Sequence, residues 1–335
     1  MTWVSLGSLA LPFQLQRHGV QLRTEIARLG QNLSTGTVTD PARHLQGNTA
    51  PLAAITARLA RNDAYEQATR MAATMADSAQ TTLGQLDGLR QTAAGRLLGA
   101  ATSALSGPMM TSTGKAAFSA LTDAVSALSL NVAGAAGFSG TASDHAPLVS
   151  ADTMIQTLSP LVAGLETADQ VLAAVQGAFL DPGGLFDTDF YQGGDAAPGA
   201  VLADGTRAPT LPTAADPALR AVLAGLAGAA MLSDPALSLS DDQRIALAQG
   251  SSERLSAATT GMTALQATLG EGQERLDTGL TRLSAERDAL DLARQSLIGA
   301  DPYEAATQLD LAQTRLETIY AITARTARLS LTEYL

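Results

Sequence analysis

Residues spaced three and four positions apart form a stripe near each end of the chain. The C-terminal stripe comprises Tyr303, Ala306, Leu309, Gln313, Leu316, Tyr320, Thr323, Ala327 and Leu331. This spacing aligns the side chains on one face of an α-helix, at the period of a coiled coil. Asp301 as N-cap, Pro302 at the first helical position and Glu304 as a capping-box acid predict where the helix begins. We therefore expect a helix over 301–335 that packs against a partner helix.

A matching stripe lies near the N-terminal end. It comprises Leu11, Leu15, His18, Leu22, Ile26, Leu29 and Leu33. The segment Ser34-Thr35-Gly36 then predicts the end of that helix. Because both stripes have the same period, we expect the two terminal helices to pair and to bury their stripes against each other. The pattern alone favours an ordinary helical bundle closed by its two ends.

Two longer periodic segments lie inside the terminal helices, over Pro51–Leu97 and Ser240–Leu297. Ser240 and Gln243 have the spacing of a capping box, and Gly299 provides a stop. Their matching period and length predict an elongated antiparallel rod. Glycine is unfavourable inside a helix, so Gly270 and Gly272 predict a break or bend in the second segment.

The middle of the chain is rich in glycine, alanine and serine and is repeatedly interrupted by proline. The predicted helices there are Lys115–Leu130, Ala151–Leu180 and Pro217–Leu232. Between the last two, Phe186–Pro209 alternates weakly around Gly193-Gly194 and Asp204-Gly205, which predicts short β-hairpins.

These patterns predict a mainly α protein with paired N- and C-terminal helices, an elongated antiparallel long-helix rod and a small irregular α/β insert. We expect three parts. Residues 1–45 with 300–335 form a terminal helix-pair domain for assembly, and residues 46–97 with 240–299 form the long-helix rod. Residues 98–239 form an inserted outer region.

Composition and charge narrow the possible functions. The 335-residue chain is 46% hydrophobic but only 4% aromatic, which suits long, narrow helix contacts. A formal net charge of −11 argues against a nucleic-acid or anionic-membrane partner. The absence of cysteine excludes disulfides and cysteine-based zinc sites. The most apolar run, 221–232, is shorter than the roughly 20 residues of a membrane span, so we expect a soluble protein.

The residues that could carry chemistry do not form a recognisable motif. The histidines His18, His44 and His145 have no metal-binding spacing. Ser143, Asp144 and His145 are adjacent in sequence, and adjacent residues do not ordinarily form a catalytic triad. We predict no catalytic site, no cofactor and no metal centre, and interpret this segment as a polar loop.

Two further candidates fail in the same way. Gly134, Gly137 and Gly140 do not have the spacing of a dinucleotide-binding turn. Asp187 and Asp189 lack the glycine and the distal glutamate of a calcium loop. A solvated hairpin edge is the better interpretation of that acidic pair.

Short motifs at both ends resemble the flagellin superfamily. At the N-terminal side these are Leu33-Ser34-Thr35-Gly36, Asp40-Pro41-Ala42 and Ala79-Gln80-Thr81-Thr82-Leu83. At the C-terminal side they are Asp301, Glu304, Ala305, Ala306, Leu309, Gln313, Leu316, Leu329-Ser330-Leu331 and Tyr334-Leu335. The resemblance covers roughly the first and last hundred residues.

Within that superfamily the chain most resembles the flagellin-like hook-associated protein of the hook–filament junction. Phe190-Tyr191-Gln192-Gly193 and Asp216-Pro217-Ala218-Leu219-Arg220 are similar to motifs of that protein. Arg43 and His44 depart from the small residues that the family often has there. The middle region is also too short for a large outer β-domain.

The resemblance implies an extracellular structural subunit that joins the hook to the filament and is exported through the flagellar secretion apparatus. Residues 1–11 lack the features of a cleaved signal peptide, in agreement. The implied partners are further copies in a ring or tube, a neighbouring hook-associated protein, hook-side and filament-side subunits and an export chaperone. Filament flagellin is the alternative within the family. Outside it, a cytoplasmic coiled-coil adaptor would show the same heptads, and an enzyme is the least favoured class.

The residues expected to form the assembly interface belong to the two terminal stripes. They are Leu15, Leu22, Ile26, Leu29, Leu33, Leu309, Leu316, Tyr320 and Leu331. A two-helix pair without a third layer is marginally stable, since most helix stability comes from packing an apolar face. We therefore expect the terminal helices to become fully ordered only on assembly.

Overall fold

The computed structural model describes residues 6–103, 107–132, 134–203 and 205–332, with the side chains of 6–12, 132 and 327–332 excepted. The α-helices of this part are α1 (Leu6–Thr35), α2 (Pro41–His44), α3 (Ala50–Thr102), α4 (Gly107–Leu128), α5 (Ala151–Val162), α6 (Ala168–Leu180), α7 (Pro217–Ala230), α8 (Asp241–Ile298) and α9 (Pro302–Thr332). A π-helical turn, Phe186–Phe190, and a 3-10 turn, Met231–Ser233, accompany them. The described strands are β1 (Asn131–Val132) and β2 (Ala135–Ala136), which form a two-stranded antiparallel hairpin. The predicted mainly α class is confirmed.

The chain divides into two compact units. One comprises Met1–Asp63 with Ser284–Leu335, and the other comprises Ala64–Leu283. Both divisions fall inside long helices, α3 and α8. The three-part division expected from the sequence places its boundaries elsewhere and stays a prediction.

Helices α3 and α8 run antiparallel within the 64–283 unit. Gln273 Nε2 donates to Asp77 Oδ1 over 2.6 Å, and Arg90 Nη1 donates to the Leu255 carbonyl over 2.9 Å. Ser252 Oγ donates to the Ala94 carbonyl, also over 2.9 Å. From Asp77 to Ala94 the residue numbers in α3 increase, while those of their partners in α8 decrease from Gln273 to Ser252. This order confirms the predicted antiparallel arrangement of the long helices.

Helix α8 continues through Gly270 and Gly272, so the predicted break there is wrong. A Cβ at position 272 would lie 2.5 Å from Cβ of Pro209. Glycine at 272 therefore allows the loop that contains Pro209 to approach the helix closely. Tertiary packing outweighs the low helix propensity of glycine at this position.

Helix α7 is the centre of the 64–283 unit. Its buried residues are Leu219, Val222, Leu223, Ala224, Gly225, Leu226, Ala227, Gly228, Ala229 and Ala230. A helix that is apolar on all sides is typically buried on all sides. Helices α4 and α6 pack against it, and Gly225 lets Leu255 of α8 approach so closely that a Cβ would meet Leu255 Cδ2 at 2.6 Å.

The predicted helix over 151–180 is two helices, α5 and α6. The chain leaves the helical conformation between them, where Gly164 has a φ of +82°, and Thr167 then caps α6. Gln243 supports this second start from α8, because its Oε1 accepts a hydrogen bond of 2.7 Å from the Ala168 amide. The Gln243 side chain, which was expected to complete an α8 capping box, therefore stabilises the start of another helix, and the Ser240 hydroxyl accepts a bond of 3.4 Å from the Gln243 amide.

The hairpin prediction for 186–209 is wrong in its first half. Phe186 and Phe190 lie in a π-helical turn and are fully buried, with ring centroids 5.8 and 5.4 Å from that of Phe179. In this turn both rings lie on the side that faces Phe179. A strand would also place residues four apart on one face, so the spacing alone did not distinguish the two structures. In the second half, Val201 and Arg207 form an isolated antiparallel bridge.

Arg220, from the second middle-region motif, contacts the π-helical turn that ends at Phe190 of the first motif. Its guanidinium lies 4.6 Å from the ring centroid of Phe186, and its Nη1 is 3.0 Å from Asp187 Oδ1. Its Nε also donates to the carbonyl of Phe179 over 2.5 Å. These contacts fix the π-helical turn to α6 and α7.

The close approach at Gly114 of α4 gives a test of the packing. A Cβ there would lie 2.5 Å from the Ser233 amide nitrogen and 2.9 Å from the Leu232 carbonyl carbon. We expect Gly114→Ala to lower the free energy of unfolding by about 1–3 kcal/mol, because backbone must move. Urea denaturation followed by circular dichroism measures the change.

Gly95 of α3 is the matched control, because it is exposed and a Cβ there meets nothing within 4 Å. Gly95→Ala should raise the free energy of unfolding by about 0.4–1 kcal/mol by restricting the unfolded chain. Equal effects of the two substitutions would contradict the described packing of α4.

Candidate assembly interface

Helices α1 and α9 lie antiparallel within the unit formed by both chain ends. Their connection is set at the residues that follow α1 and precede α9. The Ala300 amide donates to the Gly36 carbonyl over 3.0 Å, and Val38 donates to the carbonyl of Ile298 over 2.9 Å. Thr37 and Gly299 form an isolated antiparallel bridge. The end of α1 is thus held beside the start of α9, and the two form the terminal helix pair.

The motifs that flank this connection act as helix ends and turns. Asn32 is buried, and its Oδ1 accepts hydrogen bonds from the Thr39 amide (2.8 Å) and the Thr39 hydroxyl (2.6 Å). Gly36 has a φ of +66°, a conformation that glycine adopts without strain, which explains its place after α1. The connector therefore folds back onto the last turns of α1.

The start of α9 follows the sequence prediction in its N-cap and first residue, whereas Glu304, predicted to act as a capping-box acid, bonds to Gln308. Oδ1 of Asp301 accepts hydrogen bonds from the amides of Tyr303 (2.8 Å) and Glu304 (3.2 Å). The Glu304 carboxylate accepts a bond of 2.9 Å from the Gln308 side chain. Asp301 is thus an N-cap that satisfies two of the free amides at the start of the helix.

The face of α9 that is shielded from solvent is displaced by about one residue from the predicted stripe. Ala305 and Ala312 are buried, and Leu309, Leu316 and Ile319 are half-buried. These five residues alternate four and three apart, as in a heptad. The two alanines allow a partner backbone to approach closely. Leu309 and Leu316 belong to both the predicted and the observed face.

The predicted site residues fall into three groups. Leu29 is buried, at 2% exposure, and Leu15, Leu22, Ile26, Leu309 and Leu316 are half-buried. Leu33 and Tyr320 are exposed, at 41% and 50%. Leu331 lies in α9, but its side chain is outside the described residues. The structure therefore brings most of the predicted stripe together along one contact and leaves its outer members in solvent.

Sequence reasoning missed Ala305, Ala312 and Ile319 and included Tyr303, which is 84% exposed. The available signal was the heptad that extends from Leu309 and Leu316 in both directions. The predicted stripe followed the large side chains of Tyr303 and Tyr320 and therefore missed this heptad.

The terminal helix pair also leaves large apolar side chains exposed to solvent. They are Phe13, Val20, Leu33, Tyr303, Leu311, Tyr320 and Ile322. Phe13, the most exposed of those on α1, has 68% of its surface in solvent. Single exposed apolar residues are common, so this set marks a candidate surface only because it recurs along both paired helices.

The polar loop at His145 has a structural arrangement. His145 Nδ1 lies 2.8 Å from Asp144 Oδ1, and its Nε2 lies 2.8 Å from the Gln192 carbonyl oxygen. The bond to Gln192, followed by the contact with Asp144, raises the pKa of His145. Because Nε2 of His145 is hydrogen-bonded to the Gln192 carbonyl, that nitrogen is not placed to activate Ser143. The His145 side chain instead links the loop that contains it to the loop that contains Gln192.

The acidic pair at 187 and 189 is also used by the fold. Asp187 pairs with Arg220, and its Oδ2 accepts a bond of 2.9 Å from the Gly183 amide. Asp189 Oδ2 accepts from the Thr188 hydroxyl. Over the described ranges, no group of three or more histidine or acidic side chains is placed to hold a metal ion.

The helices of the described part were also compared with the length and hydropathy of a bilayer span. None of them is both long enough and apolar enough to cross a membrane.

The comparisons with known proteins bear on the C-terminal part of the chain. No curated protein matches the sequence. Residues 253–335, which contain most of α8 and all of α9, match the family model of the bacterial flagellin C-terminal helical region. This match makes residues 253–335 similar to that helical region of flagellin.

Proposed function

We propose that the protein is the structural subunit that joins the hook of the bacterial flagellum to its filament, and that it assembles through the terminal helix pair. The observation that carries this proposal is the series of exposed apolar side chains on α1 and α9. It occurs in the terminal helix pair, whose second helix lies inside the match to flagellin.

Packing energetics explain why such a pair would need neighbours. Burial of apolar surface stabilises by roughly 25 cal/mol per Å². Phe13, Val20, Leu311 and Ile322 forgo much of this gain while they face water. Helices from adjacent copies, or from hook-side and filament-side subunits, would supply the missing layer. The terminal helix pair is thus the assembly domain of this proposal.

Export and location follow from the same proposal. A chain without cysteine has no disulfide that would prevent its passage through a narrow secretion channel in an unfolded form. An export chaperone would cover the apolar terminal helices before assembly. The protein would then act outside the cell, in contact with a neighbouring hook-associated protein.

The junction role is favoured over that of filament flagellin by two middle-region motifs. Phe190-Tyr191-Gln192-Gly193 and Asp216-Pro217-Ala218-Leu219-Arg220 resemble those of the junction protein. The ring of Phe190 lies beside the ring of Phe179. The backbone carbonyl of Phe179 accepts a hydrogen bond from Arg220. One compact cluster therefore relies on residues from both motifs.

Deletion of the gene tests the junction role. We expect electron microscopy to show intact hooks without filaments, and filament subunits to accumulate in the culture medium because their site of attachment is missing. Immunolabelling in the parent strain should mark a short band between hook and filament. Labelling along the whole filament would identify the protein as filament flagellin instead.

A matched pair of substitutions tests the assembly interface. Leu29→Ala should lower the free energy of unfolding by about 2–5 kcal/mol, because a buried leucine leaves a cavity. Leu33→Ala combined with Tyr320→Ala should change it by no more than about 0.5 kcal/mol for each exposed residue. Thermal denaturation of the monomer measures both effects.

The double variant Leu33→Ala with Tyr320→Ala should nevertheless reduce incorporation of the protein at the hook tip. Immunoblotting of isolated hook–filament structures measures this incorporation. Normal incorporation of the variant with both Leu33 and Tyr320 replaced would show that these side chains do not contact neighbouring subunits. The single variant Leu292→Ala is a control, since Leu292 is 73% exposed and was not predicted to lie in the interface.

A further inference from the structure

A cavity of about 370 Å³ lies within the 64–283 unit, away from the terminal helix pair. One wall is a face of α8 and another is the loop that follows Leu202, with Thr69 of α3 beside them. Three arginines line it: Arg207 from the loop, and Arg275 and Arg282 from α8. This volume falls within the range of small-molecule sites, which is about 300–1,000 Å³.

The charge of the cavity is opposite to that of the whole chain. Among the described residues that line it, three arginines and Glu274 give a net charge of +2. The chain carries −11. A concentration of positive charge in an acidic protein requires an explanation, since scattered surface charges would be expected to be mainly negative.

The three guanidinium groups retain free donor capacity. Arg207 Nη1 donates to the Gly199 carbonyl over 3.1 Å, and Arg275 Nε donates to the Glu271 carbonyl over 3.4 Å. Neither bond is to a carboxylate. Within the part of the chain that the structure describes, Arg207, Arg275 and Arg282 form no ion pair. Each guanidinium presents five N–H donors, so most of them remain available to a ligand.

The walls of the cavity are fixed in place. Arg275 and Arg282 are seven residues apart, which is two helical turns, so they project from one face of α8 about 10.5 Å apart along its axis. The loop is closed by the bridge between Val201 and Arg207 and packs through Pro209 against Gly272. Arg207 thus lines the cavity from the loop, and Arg275 and Arg282 line it from α8, with all three side chains accessible to solvent.

We propose that this cavity binds a small organic phosphate monoester. A phosphate monoester carries a charge of about −1.5 to −2 at pH 7, which balances the charge of the site, and guanidinium groups bind its oxygens in pairs. The volume exceeds that of a phosphate group alone. Leu202, Leu283 and Pro209 provide an apolar wall for the carbon skeleton.

Titration calorimetry of the full-length protein with glucose 6-phosphate tests this proposal, at an ionic strength of about 0.15 M because exposed charges are screened by salt. Glucose and inorganic phosphate are the comparison ligands. We expect glucose 6-phosphate to bind at least about tenfold more tightly than either, since the site contacts both parts of the ligand.

Replacing two of the arginines, in Arg275→Gln with Arg282→Gln, should weaken binding of glucose 6-phosphate by about tenfold or more, because charge-assisted bonds are lost. Arg96→Gln is the matched control, since Arg96 is an exposed arginine of the same unit outside this cavity. Circular dichroism verifies that each variant is folded.

Three results would overturn the proposal. Equal binding of glucose 6-phosphate and glucose would show that the phosphate is not recognised. Equal binding of glucose 6-phosphate and inorganic phosphate would show that the cavity does not recognise an organic ligand. An equal loss in Arg96→Gln and in the double variant would show attraction to the surface as a whole. None of these results depends on whether the protein assembles at the hook.

Discussion

The packing of α8 against α3 is the interaction on which each compact unit depends. Helices of 53 and 58 residues draw little stability from propensity alone, so their apolar faces must be covered. Polar contacts at intervals fix their register: the Arg90 guanidinium bonds to the Leu255 carbonyl in one unit, and Arg287 lies 3.3 Å from Asp63 in the other. A register fixed by side chains reaching backbone carbonyls tolerates little sliding of one helix along the other.

The long helices could be predicted from the sequence to within a few residues, because caps, periodicity and terminal glycines are local signals. The middle region could be predicted only in part: the helices expected over 115–130 and 217–232 correspond to α4 and α7, but the remainder differs. The π-helical turn at 186–190 depends on Phe179, which lies in a different helix, and the split between α5 and α6 depends partly on Gln243 of α8. The contacts with Phe179 and Gln243 join residues far apart in sequence, so no local pattern contains them. The split between α5 and α6 also had local signals that the periodicity obscured, namely Gly164 and the capping box of Thr167 and Gln170.

The candidate interface was predictable in its location and less so in its orientation. Leu29, Leu309 and Leu316 were assigned to a contact that the structure contains. The face of α9 was misjudged by one position because Tyr303 and Tyr320 are large, whereas the closest packing is made by Ala305 and Ala312. Side-chain size indicates how much surface a residue can bury, but the distance between two backbones decides which residues are buried. Where two helices approach closely, the buried positions are therefore filled by small residues.

The terminal helix pair must satisfy two opposing requirements if the chain is an assembly subunit. It must be stable enough to hold α1 beside α9, and the connection around Gly36 and Ala300, with Leu29 buried beneath it, meets that need. It must also leave enough apolar surface uncovered to gain free energy when a neighbour arrives. A cytoplasmic coiled-coil adaptor with a complete two-helix seam would have no reason to expose Phe13, Leu311 and Ile322. Incomplete burial on the helices that join the two chain ends is therefore better explained by polymerisation than by an independent coiled coil.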